Sequence, residues 1–354
     1  MKIKNRNHKL KKMEELMTIR LALSGAGYIA NIHATAALSL PDVELSALVD
    51  FRPENTVDFR KKFEIKKVFT TIEDLVDANV ADAVVICTPN FLHGPQAISA
   101  LKGGLHVMVE KPMAINLQEA LEMEKKAKEV HAHLMVAHCW RFDEEVQWLR
   151  KQVVDNKLGT IVRTKGYGVH ANWGPSGWFL KKELSGGGAL VDMGIHAIDT
   201  VRYLIGDPKP VRVYAHLGTN YIHSNVDDTG LLMIHWENDV CSIIECGWWQ
   251  PHMDGPEAST SLYGTQGYGN LFPTLLENPN FEEQRVDKTD PGFKFPRKEH
   301  SPQIMYDRQM SHFIKSIQED FKPVPGSEEG RINIAILDAA FRSAETRKVE
   351  NILC

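Results

Sequence analysis

The sequence predicts an α/β protein in which a doubly wound parallel sheet is followed by an α+β domain with a large, mostly antiparallel open sheet. The chain has 354 residues, more than one hydrophobic core usually organises, so we expect two domains. Up to about residue 140, short apolar strands alternate with helices, as a parallel sheet requires. Beyond it, strand-like segments follow one another without helices between them, which is typical of antiparallel sheets.

Residues 1–17 form a basic tail that we expect to be disordered, and residues 18–140 form the first domain. Its strands are short and rich in β-branched residues, as buried parallel strands are. The predicted strands are Ile19–Ser24, Val43–Val49, Val68–Phe69, Val80–Cys87, His106–Val109 and His133–Ala137. The predicted helices are Tyr28–Ser39, Glu54–Phe63, Glu73–Asp77, Gly94–Lys102 and Leu117–Glu129.

Residues 141–354 form the second domain, whose strands show alternating character. The predicted strands are Ile161–Val169, Val211–Gly218, Gly230–Trp236, Cys241–Trp248 and Ser259–Tyr263. The predicted helices are Asp143–Asn156, Gly187–Ile205, Ile304–Asp320 and Gly330–Arg347. The segment Asn278–Ser301 is rich in proline and charge and is expected to be a loop. The two C-terminal helices could pack back on the first domain.

Composition excludes several classes of function. The net charge is −5 although six basic residues lie in the first twelve, so the remaining chain is acidic and unsuited to nucleic acid. No apolar run approaches the roughly 18 residues that span a bilayer, and no secretory signal is visible, so we expect a cytoplasmic protein. The five cysteines are scattered without metal-ligand spacing, so we expect neither a disulfide nor a bound metal.

A glycine-rich turn follows the first predicted strand and opens the first helix; its sequence is Gly25-Ala26-Gly27-Tyr28-Ile29-Ala30. Gly25 permits the tight turn, Gly27 lets backbone amides approach a pyrophosphate, and Ala30 keeps the helix close to the sheet. The helix N-terminus adds unpaired N–H groups and a positive dipole. Such a turn alone is weak evidence, but between a strand and a helix it predicts a Rossmann dinucleotide site that includes Tyr28 and Ile29.

Asp50 ends the second predicted strand about 20 residues downstream, where a carboxylate accepts both hydroxyls of an adenosine ribose. Its charge repels a 2′-phosphate and therefore favours NAD over NADP, whereas Arg52 could bind that phosphate and weaken the preference. The alternative is a salt-bridged surface Asp50 beside a solvated Arg52.

Polar residues also follow the strand Val80–Cys87, at the sheet edge where parallel sheets bind ligands. Thr88 and Asn90 offer polar contacts to the cofactor, and Pro89 fixes the turn between them. His93 is expected near the cofactor, although it could instead cap the following helix.

The strand His106–Val109 runs directly into Glu110-Lys111-Pro112. The following proline holds the ammonium of Lys111 in one place, where it would hydrogen-bond a reacting oxygen and favour an alkoxide-like transition state. Glu110 would pair with neighbouring groups or face the nicotinamide. Without further context, such a tripeptide is more often a surface turn.

The segment from residue 18 to the C-terminus resembles the Gfo/Idh/MocA oxidoreductases, the family of glucose–fructose oxidoreductase and inositol dehydrogenase. The resemblance rests on the glycine-rich turn, the Thr-Pro-Asn…His segment, Glu110-Lys111-Pro112 and later motifs in the family's order. These later motifs are Trp140-Arg141-Phe142, Gly187-Gly188…Asp192-x-Gly194-x-His196-x-x-Asp199, Tyr263-Gly264-Thr265-Gln266-Gly267 and the final helix from Ser327 to Ala344. The resemblance implies a Rossmann domain and an open sheet that pairs subunits into homodimers or homotetramers.

The resemblance places the family's catalytic residues on Lys111, Asp192 and His196. The last two and Asp199 are spaced i, i+4, i+7, so one helical face would carry all three toward the cleft. His196 would act as general base, Asp192 would hold a neighbouring substrate hydroxyl, and Lys111 would polarise the reacting oxygen. The alternative is an amphipathic core helix with one satisfied histidine, in which Asp199 only caps or orients.

Further substrate contacts are implied at His170 and Asn172, which resemble an H-x-N of inositol dehydrogenases, and at Arg141 and Trp140. Trp140 could form an apolar wall for a sugar ring, as could Trp248 and Trp249. For these tryptophans, sheet packing or a subunit interface is an equal alternative.

The predicted function is hydride transfer between the nicotinamide of NAD, or of NADP, and a hydroxyl or carbonyl group of a sugar, cyclic polyol or related small molecule. Two alternatives stay open. One is an NAD-retaining glycosidase or lyase that acts through a transient keto-sugar, and the other is a non-catalytic NAD-binding regulator. The fold alone does not separate them.

Overall fold

The computed structural model describes residues 18–250, 258–280, 282–299 and 301–354. The basic tail predicted for residues 1–17 lies outside these ranges. Within them, no helix has both the length and the apolar character that crossing a membrane demands.

The first domain is a parallel sheet with the strand order β3-β2-β1-β4-β5-β6, which confirms the predicted doubly wound sheet. Except at the edge strand β3, most strand residues are buried on both faces because helices cover both sides. The strands are β1 (Ile19–Ser24), β2 (Val43–Val49), β3 (Lys67–Phe69), β4 (Ala83–Ile86), β5 (His106–Val109) and β6 (Leu134–Val136). The helices are α1 (Tyr28–Leu38), α2 (Val57–Lys62), α3 (Ile72–Asp77), α4 (His93–Lys102) and α5 (Leu117–Val130).

The predicted helix Glu54–Phe63 is wrong in its first turn. Residues Pro53–Thr56 form a 3₁₀ turn, and α2 begins only at Val57. The Thr56 hydroxyl donates to the Pro53 carbonyl oxygen, a local hydrogen bond that competes with a regular helical start.

The second domain is an α+β unit whose helices and strands have the following bounds. The helices are α6 (Glu144–Val154), α7 (Lys182–Ser185), α8 (Ile195–Leu204), α9 (Gln303–Glu319) and α10 (Ser327–Thr346). The strands are β7 (Ile161–His170), β8 (Pro210–Gly218), β9 (Thr229–Trp236), β10 (Cys241–Trp248), β11 (Ala258–Gly264), β12 (Tyr268–Leu271), β13 (Leu275–Asn280), β14 (Arg285–Thr289) and β15 (Glu350–Asn351).

The second sheet has the strand order β14-β13-β12-β11-β7-β10-β9-β8-β15. Its neighbours are antiparallel except β7 and β10, which run parallel. The predicted mostly antiparallel open sheet is therefore confirmed. Helices α8 and α10 pack on one face, while α9 packs against α1 and α10 also packs against α5 of the first domain.

The loop predicted for Asn278–Ser301 is wrong in part, because it contains the end of β13 and all of β14. These strands form an antiparallel hairpin at the edge of the sheet. Every side chain of β14 is exposed, so the strand has no buried face and no apolar alternation that the sequence could reveal.

The helix predicted for Gly187–Ile205 is divided. A wide π turn at Leu190–Gly194 precedes α8, and the Ile195 N–H donates to the carbonyl oxygen of Leu190, five residues back. An extra residue in one turn changes which later side chains share a face, and such turns are frequent at functional sites. The strand β7 packs closely on this turn, because a Cβ at Gly168 would lie 2.3 Å from the carbonyl oxygen of Met193.

A buried polar network joins the segment before α6, helix α8 with the loop that follows it, and helix α10. The guanidinium of Arg141 donates to both carboxylate oxygens of Asp199 at 2.8 Å and also to the carboxylate of Asp207. The Asn333 side-chain amide donates to Asp199 at 2.8 Å. Burial opposes both charges, but the Arg141 guanidinium outweighs it and lowers the pKa of Asp199. Each charge is buried only because its partner is present.

We expect Arg141→Gln to lower the free energy of unfolding by roughly 3–5 kcal/mol, because Asp199 would remain buried without its counter-ion. Arg20→Gln is the matched control, since Arg20 pairs with Asp82 at the surface and should contribute about 1 kcal/mol or less. Urea denaturation of both variants checks this. Equal losses would show that the Arg141 network does not carry this share of the stability.

Candidate active site

A cavity of about 1090 Å³ lies between the carboxyl edge of the parallel sheet and the second domain. It exceeds the roughly 300–1,000 Å³ of ordinary small-molecule pockets, so a dinucleotide and a second ligand can share it. Its wall includes residues that follow β1, β2, β4 and β5, together with residues of β7, the π turn and α8. The strand ends of one domain thus face the helix start of the other.

The glycine-rich turn forms one end of this cavity. Gly25 has φ 91°, and a Cβ there would lie 2.9 Å from the Cys87 carbonyl oxygen, so both conformation and space require glycine. Helix α1 follows Gly27, which provides no side-chain cap, and Tyr28 and Ile29 line the cavity. The first N–H groups of an eleven-residue helix therefore remain for an anionic ligand. Ala30 is fully buried behind the turn.

Asp50 and Arg52 line the cavity after β2. One carboxylate oxygen of Asp50 accepts the backbone N–H of Arg52 at 2.9 Å, which fixes the carboxylate and leaves its other oxygen for a ligand. The Arg52 guanidinium lies 4.6 Å from the ring centre of Phe51, which lines the same region. A ribose–adenine group fits this combination of a carboxylate and an open aromatic face.

The segment after β4 also lines the cavity, with Thr88, Pro89, Asn90 and His93 all in its wall. Thr88 donates to the Gln96 side chain at 3.1 Å, while the Asn90 amide donates to the Ser185 carbonyl oxygen at 2.8 Å. These side chains thus line the cavity and also hold its wall together through their hydrogen bonds.

His93 is buried, and its ring nitrogens lie 2.7 Å and 2.9 Å from the carbonyl oxygens of Pro112 and Thr88. Burial lowers the pKa of His93 even though both carbonyls oppose the shift. The ring therefore ties the ends of β4 and β5 together beside the predicted cofactor position.

Glu110 is buried and lines the cavity. Its carboxylate lies 2.7 Å from Nε2 of His33 on α1 and accepts the backbone N–H of Lys111 at 3.1 Å. Burial would raise the pKa of Glu110, but the His33 hydrogen bond and the nearby Lys111 charge outweigh it and lower the pKa. The sequence did not reveal His33, because a histidine on the helix after the turn carries no recognisable spacing.

Lys111 and Asp192 bring the two domains into direct contact. The Lys111 ammonium donates to the Asp192 carboxylate and to the Asp192 backbone carbonyl, both at 2.9 Å. An ammonium has three N–H groups, so one remains for a ligand. The other carboxylate oxygen of Asp192 accepts the indole N–H of Trp248 at 3.1 Å.

The charges of this pair persist over a wide pH range. Burial opposes both charges, but their mutual attraction raises the pKa of Lys111 and lowers the pKa of Asp192. The lysine charge is lost only as pH rises through that raised value, and the carboxylate charge only as pH falls through that lowered value. Both groups are ionised at neutral pH.

His196 lines the same cavity, one turn after Asp192. Its imidazole stacks on the indole of Trp140, with ring centres 5.3 Å apart and planes at 24°. Phe272 meets the Trp140 ring edge-on, and the Arg297 guanidinium lies 4.4 Å from the Phe272 ring centre. A buried aromatic stack thus supports the imidazole from behind.

The structure gives several predicted residues other positions. Arg141 and Asp199 bind each other in the buried network, and neither is among the described residues of the cavity wall. Asp199 leaves the face of Asp192 because the π turn between them adds a residue to one helical turn. The exposed Asn172 lies outside the wall, although His170 lines it.

Trp248, the last residue of β10, and Trp249, which follows it, lie in different environments. Trp248 is fully buried and donates to Asp192, so its part in the site is indirect. Trp249 is exposed and lies outside the cavity wall, so neither ring forms the predicted apolar wall within it.

Other residues of the cavity wall were not predicted. The most prominent are Trp178 and Phe179 from a 3₁₀ turn, Met193 from the π turn, and Tyr306 from α9. The Tyr306 ring meets the His33 ring edge-on at 5.8 Å. These residues lie in irregular segments or far along the chain, where no local pattern marks them.

The chain was compared with known proteins. Residues 19–138 match the family described as an oxidoreductase family with an NAD-binding Rossmann fold, and residues 146–268 match the Gfo/Idh/MocA C-terminal domain. The chain is 29% identical to the D-glucoside 3-dehydrogenase of Escherichia coli (strain K12), covering 94% of this chain and 98% of that protein. It is 30% identical to the 1,5-anhydro-D-fructose reductase of Ensifer adhaerens, with 94% and 98% covered.

Among solved structures, levoglucosan dehydrogenase in complex with NADH and levoglucosan has a similar fold, with a TM-score of 0.85. Its sequence identity is 22%, and the match covers 95% of this chain and 99% of that one. Fold, site and sequence together define an oxidoreductase that uses a nicotinamide dinucleotide. The chain belongs to the Gfo/Idh/MocA family.

We expect Asp50→Ala to weaken NADH binding by roughly tenfold or more, because a charged acceptor for the ribose hydroxyls is removed. NADPH binding should change much less. Fluorescence titration with both reduced cofactors checks this, and Asp58→Ala, an exposed aspartate outside the cavity wall, is the matched control. An equal loss for both cofactors would show that Asp50 does not contact the ribose.

Proposed function

We propose that the chain oxidises a hydroxyl-bearing carbon of a sugar or cyclic polyol to a carbonyl, or reduces that carbonyl, with NAD preferred over NADP. One observation carries the proposal: the ammonium of Lys111, fixed by Asp192, lies in the wall of the same cavity as His196 and the dinucleotide turn. The names of the relatives that are similar along nearly their whole length support a sugar-like substrate.

Each residue of the site would have a distinct role in the reaction. In the oxidative direction, His196 takes the hydroxyl proton as general base. The remaining N–H of Lys111 donates to the same oxygen and stabilises the negative charge that develops on it. The nicotinamide, when bound, supplies the acceptor for the hydride. Reduction uses the same groups in reverse, with His196 returning the proton.

Asp192 would act mainly by fixing Lys111. Two of its oxygens already accept from the ammonium, and the third accepts from Trp248. Each carboxylate oxygen has a further lone pair, so one can also hold a neighbouring substrate hydroxyl. His170, buried at the end of β7 and in the cavity wall, would contact another hydroxyl. Trp140 lies in the cavity wall and would border the substrate beside His196, on which it stacks.

The dinucleotide would lie along the first domain. The open N-terminus of α1 after Gly25 and Gly27 would hold the pyrophosphate, and Asp50 would hold the ribose hydroxyls. Arg52 beside Phe51 would border the adenine. Glu110, held by His33, would border the nicotinamide end next to Lys111.

The chain would form a homodimer or homotetramer through the uncovered face of the second sheet. On this face Tyr214 pairs across the strands with Met233, which in turn pairs with Ile243. Leu231 and Met233 are 48% and 51% exposed. Adjacent apolar side chains on an exposed sheet face are typical of subunit interfaces. A cytoplasmic location remains part of this proposal.

Lys111→Met should lower kcat by at least about 100-fold, since it removes a donor to the developing oxyanion. NADH affinity should remain close to that of the wild type, because the lysine lies at the reacting end of the site. The matched control is Lys182→Met, an exposed lysine outside the cavity wall. Activity is followed by absorbance of reduced nicotinamide with a panel of neutral hexoses, anhydro-sugars and inositols, each with NAD and NADP.

This panel also separates the alternatives. A sugar that is converted without net formation of reduced nicotinamide would contradict the dehydrogenase and favour a lyase that retains its cofactor. Full activity of Lys111→Met would remove the lysine from the mechanism.

Met233→Glu should dissociate the oligomer. In a symmetric interface the substitution brings two like charges close together, and it also removes an apolar contact. Sedimentation velocity gives the mass of the wild type and of the variant. Val154→Glu, at an exposed position ending α6, is the control and should leave the mass unchanged. A monomeric wild type, or an unchanged mass for Met233→Glu, would contradict the proposed interface.

A further inference from the structure

Four aromatic side chains border the substrate end of the cavity, and we call them the aromatic rim: Trp173, Trp178, Phe179 and Trp249. Trp178 and Phe179 line the cavity, and their rings stack with centres 3.8 Å apart. The ring of Trp173 stacks on His170, itself in the cavity wall, with centres 3.7 Å apart. The rim therefore continues the wall of the cavity outward.

Trp249 completes the rim. Its backbone N–H donates to the Trp173 carbonyl oxygen at 3.1 Å, and its indole packs against Gly174, where a Cβ would lie 2.4 Å from Nε1. Its φ of 58° is in the left-handed region, which a bulky residue adopts only when the surrounding structure holds it there. The backbone conformation at Trp249 and the glycine at position 174 thus both accommodate the position of this indole.

The outer part of the rim is unusually exposed for its size. Trp173 is 50% exposed and Trp249 is 39% exposed, although tryptophan is normally among the more buried residues on average. Exposed aromatic surface beside a ligand cavity is typical of a recognition surface. The exposed amide of Asn172 adjoins it in the chain and adds a hydrogen-bonding group that the reaction site does not use.

A pyranose ring matches this chemistry. One face of such a ring presents C–H groups that pack on flat aromatic surfaces, while its edge presents hydroxyls that need polar partners. The ring that reacts must lie inside the cavity, between Lys111 and His196. A second ring attached to it would extend toward the rim, where Trp178 and Phe179 line the cavity and Trp173 stacks on the wall residue His170.

We propose that the aromatic rim binds the second pyranose ring of a glycoside, so that the substrate class is a two-ring glycoside whose inner ring is oxidised or reduced. This inference rests on the proposed function. It gives Asn172 a role at the outer ring, outside the reaction site where the resemblance had placed it.

The test compares two-ring and one-ring substrates. Initial rates are measured with NAD and cellobiose, maltose or trehalose, and with D-glucose and its methyl glucosides as one-ring references. For the preferred two-ring sugar, Trp173→Ala should lower kcat/KM by about tenfold, mainly through KM, because a contact made equally in ground and transition states is lost. The kcat/KM for methyl glucoside should fall much less, because Trp173 reaches the inner ring only through its stack on His170.

Three further variants sharpen the test. Trp173→Phe should retain much of the two-ring preference, since a flat ring remains. Asn172→Ala should weaken only the two-ring substrates. Phe295→Ala, an exposed aromatic residue outside the cavity wall, should change neither class. NADH affinity and thermal stability, measured for each variant, identify any that are misfolded.

The outcomes separate this inference from the proposed function. A wild type that oxidises one-ring sugars as efficiently as every two-ring sugar would overturn the inference alone, as would equal losses on both classes in Trp173→Ala. An oligomer that dissociates in Trp173→Ala without a change in two-ring preference would show that a second copy covers the rim. A wild type inactive on every sugar, anhydro-sugar and inositol of the earlier panel would contradict the proposed function itself.

Discussion

The contact between the Lys111 ammonium and the Asp192 carboxylate is the interaction on which the rest of the site depends. The lysine follows a strand of the first domain, and the aspartate lies in the π turn of the second. Neither charge would be stable in this buried position without the other. The pair therefore joins the two domains at the site and leaves an ammonium N–H in the same cavity as the dinucleotide turn. Reacting groups from the two domains thereby line the same cavity.

The second domain holds its part of this contact with close packing and a buried carboxylate. Asp227 accepts the backbone N–H groups of Gly188 and Leu190, both at 2.8 Å, and so anchors the start of the π turn. A Cβ at Gly188 would lie only 1.8 Å from the Asp227 carbonyl oxygen, which explains the glycine at this position. With β7 pressed against its other side, the turn has little freedom. Asp192 and His196 are therefore presented on a rigid support, as precise proton and charge placement requires.

Much of the fold was predictable because its signals are local. Alternation of apolar strands and helices predicted the parallel sheet, and the glycine-rich turn with Asp50 predicted the dinucleotide end of the cavity. The failures have physical reasons as well. The edge strand β14 buries no side chain, and the π turn takes Asp199 off the helical face of Asp192, which periodicity for a regular helix cannot anticipate. The resemblance placed Arg141 at the substrate, and the sequence could not reveal its buried carboxylate partners because they are 58 and 66 residues away in the chain. Trp178 and Phe179 lie in an irregular segment, where side-chain direction depends on tertiary contacts.

The most direct test of the account is a crystal structure of the protein with NADH and an unreactive sugar analogue. The account predicts one sugar oxygen within about 3 Å of both the Lys111 ammonium and an imidazole nitrogen of His196, with the nicotinamide next to the same carbon. A sugar oxygen that contacts neither group, or a dinucleotide bound away from the Gly25–Ala30 turn, would contradict it.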